Sequence, residues 1–139
     1  MRNIIPSWTC EYDLKRNRDT YIELINNVFD SGRLLLGNQL INFEKNFSEY
    51  IGTKYSVGCD NATNAIFLIL KAIGIDAGDE VITVAAGFPT TVAPILQIGA
   101  KPVFIDADVI TGNANCEELE KAYKKGKTKA VMMAHALGN

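Results

Sequence analysis

The chain has 139 residues, 47% of them hydrophobic, with a formal charge of −2 and a pI near 5.4. That length holds one domain, or most of one layer set in a larger domain, and the apolar content is enough for a core. The acidic balance gives no basic face for nucleic acid, and no apolar run approaches the roughly 20 residues of a membrane span.

Residues 1–10 have no period and read as an extended arm. From Tyr12 to Phe29 the pattern is helical, with Tyr21, Ile22, Ile25, Val28 and Phe29 on one stripe. Asp30-Ser31-Gly32 ends that helix. Arg33 to Gly37 is a short apolar connector. A second amphipathic helix runs from Gln39 to Tyr50 and is closed by Ile51-Gly52-Thr53. The pattern then changes to βα units. Tyr55–Cys59 reads as a short strand, and Ala62–Ile73 as a helix that is apolar nearly all round. A Gly78-Asp79-Glu80 turn leads into a strand over Glu80–Ala85, and Thr90–Ile98 fits a helix that Pro94 keeps from being regular. Lys101–Ile105 is a strand, Cys116–Lys125 a helix and Lys129–Ala134 a last strand. Strands separated by crossover helices pair in parallel. The expected division is an arm with two helices over 1–53 and βα units over 54–139.

Cys10, Cys59 and Cys116 are odd in number and widely spaced, with no CxxC pair for zinc or redox chemistry. Cys59 reads as a small buried residue at a strand end. Unpaired cysteines without a signal peptide fit a reducing cytoplasm. The lysine-rich run Lys124–Lys129 reads as a solvated helix end.

Polar and glycine-rich residues collect where strands end, which is where open α/β sheets bind phosphorylated ligands. The helix starting near Asn61 has first-turn N–H groups without helical partners. A phosphate there would gain hydrogen bonds and the positive end of the dipole, with the Thr63 hydroxyl alongside and small Ala62 permitting close approach. Ordinary capping by Asp60 or Asn61 is the commoner use of such residues. Phe88, between Gly87 and Pro89, could present its face to a ring, or could be a core residue under the next helix. Asp106 could orient a ligand or cap its loop. His135, the only histidine, has no second histidine to complete a metal site. No GxGxxG and no Gly-x-Ser-x-Gly occur, and Gly126-Lys127-Thr128 lacks the first glycine of a P-loop because residue 121 is Lys.

Further segments recur in a known order and spacing. They are Gly32-Arg33-Leu34, Gly37, Phe43-Glu44, Tyr50-Ile51-Gly52, Asn61-Ala62-Thr63-Asn64-Ala65, Gly78-Asp79-Glu80-Val81-Ile82, Gly99-Ala100-Lys101-Pro102-Val103-Phe104 and Thr128-Lys129-Ala130. From about residue 20 onward the chain resembles the N-terminal part of the DegT/DnrJ/EryC1/StrS family of pyridoxal-phosphate-dependent sugar aminotransferases. The stretch from Ile82 to Val92, with Ala134 to Asn139, is more similar to the deoxysugar 3-dehydrases of lipopolysaccharide synthesis. Asp60 to Ala65 is more similar to the ordinary aminotransferases.

The resemblance implies a fold-type-I large domain with a mostly parallel sheet, a homodimer, and pyridoxal 5'-phosphate as cofactor. It implies a keto-deoxysugar nucleotide and an amino donor as substrates, in surface polysaccharide biosynthesis. Residue by residue it places Ala62, Thr63 and Asn64 at the cofactor phosphate and Phe88 on the pyridine ring. The aspartate facing the ring nitrogen and the Schiff-base lysine, histidine in a dehydrase, fall beyond Asn139. The chain alone is therefore expected to be catalytically incomplete. A reading from a different class is a non-catalytic half-domain that associates through exposed apolar surface, with another copy or with a missing C-terminal segment.

Overall fold

The structure is a computed structural model that describes residues 9–135 and Gly138. Residues 1–8 of the expected arm and the Ala136-Leu137 and Asn139 positions lie outside the described residues. Two units separate by their internal contacts, residues 1–58 and 59–139.

In the first unit the helical period over Tyr12–Phe29 is realised as two helices, α1 (Glu11–Arg16) and α2 (Arg18–Asp30). The break falls at Asn17, whose φ of −110° and ψ of 15° leave the helical region. Its side-chain amide donates to Asp13 Oδ1 at 2.8 Å, a local bond that competes with helix continuation. Helix α3 (Asn38–Ile51) stops at Gly52, left-handed at φ 78°. The Thr53 N–H donates to the Ser48 carbonyl at 2.9 Å and the Gly52 N–H to that of Glu49 at 3.3 Å, so the last turn closes on itself.

The strand expected over Tyr55–Cys59 does not form: the segment is irregular. Side-chain bonds replace a ladder. Ser56 Oγ donates to the Glu44 carbonyl, and the Gly58 N–H donates to Glu44 Oε1 at 2.7 Å. A strand needs a neighbouring backbone; this segment is tied to a helix instead.

The second unit is α/β. It contains α4 (Ala62–Ala72), β1 (Glu80–Val84), a 3-10 turn (Pro89–Thr91), α5 (Ala93–Ile98), β2 (Lys101–Ile105), α6 (Cys116–Ala122) and β3 (Thr128–Met132). The three strands form one parallel sheet in the order β2-β1-β3. β1 is buried at all five positions, as a central strand covered on both faces must be. On one face Val81 packs with Leu70 of α4, Ile75, Ile95 of α5 and Ala100. On the other, Ile82 and Val84 pack with Ile105, and Leu119 and Ala122 of α6 lie against them. The alternation along β1 thus sends neighbouring side chains into separate cores.

Pro94 sits in the first turn of α5, where its missing N–H costs nothing, and this divides the expected 90–98 helix into a 3-10 turn and a short helix. The Lys124–Lys129 run is not a helix end. Helix α6 ends at Ala122, and the run forms an exposed turn through Gly126 (φ 85°) into β3. At the start of β1, buried Glu80 lies 3.9 Å from Lys101 Nζ and 4.0 Å from Lys124 Nζ, drawing both flanking segments to the central strand.

The loop after β2 is organised by Asp108, not by Asp106. Asp108 Oδ1 accepts from the Thr111 N–H at 2.8 Å, the Thr111 hydroxyl at 3.0 Å and the Ile110 N–H at 3.1 Å. The Thr111 amide above all, then its hydroxyl, holds the Asp108 carboxyl below the usual carboxylate range, with the Ile110 amide adding to it. An ionised acceptor attracts these donors more strongly than a neutral one.

A lowered folded pKa means that the Asp108 contribution is present above the unfolded value, 3.8, and is lost as pH falls through the folded value. NMR titration is expected to show Thr111 amide protection persisting at the unfolded value and disappearing only below it, and Asp108→Asn is expected to abolish that acid transition. A second expectation concerns Gly74 (φ 83°) and Gly99 (φ 82°), both left-handed. Alanine at either costs about 1–2 kcal/mol of backbone strain. A Cβ on Gly99 also comes within 3.1 Å of Ala77 Cβ, whereas Gly74 has nothing within 4 Å. Gly99→Ala should therefore lower the urea midpoint more than Gly74→Ala; equal midpoints would contradict this packing.

Candidate functional site

Parallel pairing puts the carboxyl ends of all three strands along one edge. From β1 that edge continues into Ala85-Ala86-Gly87-Phe88, from β2 into Asp106, and from β3 toward His135. Helix α4 packs on the sheet through Leu70, and a short connection with left-handed turns at Gly74 and Gly78 takes its C-terminal end to the start of β1. Its N-terminus therefore lies toward the carboxyl edge. Helix α4 also touches the 3-10 turn that directly follows Phe88, and α5 beyond it. The two loops singled out from the sequence thus belong to neighbouring elements of one unit.

Asn61 is the N-cap of α4, and its Oδ1 accepts from the Asn64 N–H at 2.9 Å. The Asn64 side-chain amide is engaged as well, donating to Asp60 Oδ1 at 2.8 Å and Oδ2 at 3.0 Å. Asn61 Nδ2 donates to Asp60 Oδ2 at 2.9 Å. Both donor groups of Asn64 are thus used inside the cap. Among the described residues the N–H groups of Ala62 and Thr63 have no partner. Capping and an open anion position therefore coexist at this terminus: the third helical amide is capped and the first two are open.

Phe88 is 73% exposed, which removes the reading of it as a core side chain. Its backbone is extended (φ −78°, ψ 143°), and its carbonyl accepts from the Thr91 hydroxyl at 2.8 Å and the Thr91 N–H at 3.0 Å. The turn fixes the main chain while the ring stands free.

Cys59 is exposed rather than buried, because the strand expected to bury it does not form. Its thiol donates to the Asn61 carbonyl at 3.7 Å. Asp106 is exposed, and its backbone carbonyl accepts from the Asn115 N–H at 3.2 Å. His135 is exposed. Among the described residues no three His, Cys, Asp or Glu side chains cluster as a metal site, and no helix is long and apolar enough to cross a membrane. The residue that sequence reasoning underused is Asp60. The Asp60/Asn64 spacing of four, bracketing an N-cap, was the available signal.

Comparison with known proteins follows the same residues. The DegT/DnrJ/EryC1/StrS aminotransferase family model matches residues 15–139. The chain is 36% identical to dTDP-3-amino-3,4,6-trideoxy-alpha-D-glucose transaminase of Micromonospora megalomicea subsp. nigra, covering 99% of this chain and 36% of that protein. It superposes with a TM-score of 0.91 on S. venezuelae DesV, solved in complex with a ketimine intermediate, at 30% identity over 97% of this chain and 36% of DesV. With GDP-4-keto-6-deoxymannose-3-dehydratase, solved with a trapped PLP-glutamate geminal diamine, the TM-score is 0.72 at 28% identity, over 93% of this chain and 32% of the dehydratase. The chain thus spans about a third of the length of each. A parallel α/β unit of this topology and a family match over nearly the whole chain agree: the chain belongs to the DegT/DnrJ/EryC1/StrS aminotransferase family.

Proposed function

We propose that this chain is the N-terminal cofactor-binding portion of a sugar-nucleotide aminotransferase and that it binds pyridoxal 5'-phosphate at the carboxyl edge of its sheet. The observation that carries the reading is the pair of open amides at Ala62 and Thr63, on a helix that contacts the turn after an exposed Phe88. A dianionic phosphate matches the helix end, where two N–H groups and the dipole favour negative charge. The Thr63 hydroxyl adds a donor, and the methyl side chain of Ala62 leaves the backbone approachable. Phe88 supplies a flat apolar face for a heterocycle. Asn64, engaged with Asn61 and Asp60, contributes to this site by shaping the cap. When bound, pyridoxal phosphate supplies the electron sink for amino-group chemistry; these residues hold and orient it.

In this reading the arm and helices take residues 1–53 and the cofactor-binding part residues 54–139, of which 54–58 group with the helices by contact. The substrates in this reading are a nucleotide-linked keto-deoxysugar and an amino donor, in surface polysaccharide biosynthesis in the cytoplasm. The likeness to GDP-4-keto-6-deoxymannose-3-dehydratase favours a second reading, sugar 3-dehydration on the same scaffold. Leu68 and Ile69 of helix α4, and its C-cap Ile73, are exposed by 51%, 59% and 59%. A face of that composition suits a homodimer interface.

Two measurements test this. Pyridoxine 5'-phosphate lacks the aldehyde that reacts with surface lysines, so its affinity reports the site alone. Phe88→Ala is expected to weaken it about 2- to 12-fold, the worth of one aromatic contact, and to leave inorganic phosphate binding unchanged. Loss of both in equal measure would remove Phe88 from the ring site. Sedimentation is expected to give twice the 15.2 kDa chain mass, and Ile69→Asp is expected to return it to the monomer value. A native chain that is already monomeric would eliminate the dimer.

A further inference from the structure

We infer that Asp60 is a positioning residue: by gripping Asn61 and Asn64 it assigns the Asn61 cap to the Asn64 amide alone and keeps the Thr63 N–H open for the phosphate. This rests on the cofactor reading above. An asparagine N-cap accepts from the second or the third amide of its helix, and nothing intrinsic to the residue chooses between them. The same unit holds both outcomes. At α6 the cap Asn115 follows Ala114, and Asn115 Oδ1 accepts from the second amide, Glu117, at 2.9 Å and from the third, Glu118, at 3.4 Å. At α4 the cap follows Asp60, and Asn61 Oδ1 takes only the third amide, Asn64, at 2.9 Å. The difference has a visible cause. The Asp60 carboxylate accepts from Asn61 Nδ2 at 2.9 Å, and from Asn64 Nδ2 at 2.8 Å and 3.0 Å, so both side chains are held on one anchor. The grip on Asn61 Nδ2 also fixes which end of that carboxamide faces the helix. Three accepted hydrogen bonds occupy the carboxylate and temper its repulsion of a neighbouring phosphate.

The test uses the whole chain with pyridoxine 5'-phosphate and pyridoxine as probes, and reads the ratio of their affinities together with amide hydrogen exchange at Thr63 in the ligand-free protein. Loss of helix structure would weaken the site generally and leave Thr63 exchange fast, because that amide has no protecting hydrogen bond to lose. Loss of positioning moves the ratio and slows Thr63 exchange, because Asn61 swings onto that amide. Asp60→Ala is expected to lower the ratio about fivefold, the worth of one hydrogen bond, and to slow Thr63 exchange. Asp60→Asn, which keeps a side-chain acceptor, is expected to stay within about twofold of the native ratio, since that acceptor can still hold Asn64. A ratio that Asp60→Ala leaves unchanged or raises overturns the inference, as does Thr63 exchange that is not slowed, or Asp60→Asn falling as far as Asp60→Ala. A native chain with no preference for the phosphorylated probe overturns the cofactor reading, and this inference with it. A native preference untouched by Asp60→Ala overturns this inference alone.

Discussion

β1 is covered on both faces along its whole length, and the rest of the second unit is arranged to satisfy that. A strand of Glu-Val-Ile-Thr-Val cannot leave either side in water without exposing large apolar surface. Helices α4 and α5 close one face and α6 the other. Because a helix crosses over between successive strands, the strands pair in parallel and helices come to lie on both faces. Parallel strands then bring every strand-to-helix loop to the same edge. That the start of α4 and the loop after β1 lie toward one edge follows from this pairing.

At that edge the structure separates two tasks that are often treated as exclusive. A helix N-terminus can be capped by its own chain or can bind an anion. Here the cap is concentrated on one amide, Asn64, by a three-residue polar cluster, and the first two amides are left open. Aspartate before the cap would be an unexpected neighbour for the phosphate proposed above. Its hydrogen bonds make it part of the cap, so its charge is spent locally. The exposed Phe88 follows the same logic: hydrogen bonds to its carbonyl secure the backbone, so the ring is free without the loop being loose.

The first unit shows how far local sequence can be overruled. Asn17 divides one amphipathic stretch into two helices by bonding back to Asp13. The segment 55–58 has strand-forming residues but meets a helix, and Glu44 takes its polar groups instead of a neighbouring strand. In both places a single polar side chain, not the apolar period, decides the local structure.

The residues alone determined the order of helices and strands in the second unit, the parallel pairing, and the two loops at the carboxyl edge of the sheet. These follow from apolar periods, from glycine where the chain turns left-handed, and from proline where a helix must begin; each is a short-range constraint written into a few consecutive residues. The family was legible as well, because its glycine and polar landmarks keep fixed spacing. Burial and partnership were not legible. Whether Phe88 is core or exposed, whether Cys59 is covered, and whether Asp106 or Asp108 organises its loop depend on what lies opposite in space. The same holds for Asn64, whose donors the sequence would offer to a ligand and which the fold gives to Asn61 and Asp60. A side chain's chemistry is fixed by its identity, but its availability is fixed by its neighbours, and those are set only when the chain packs.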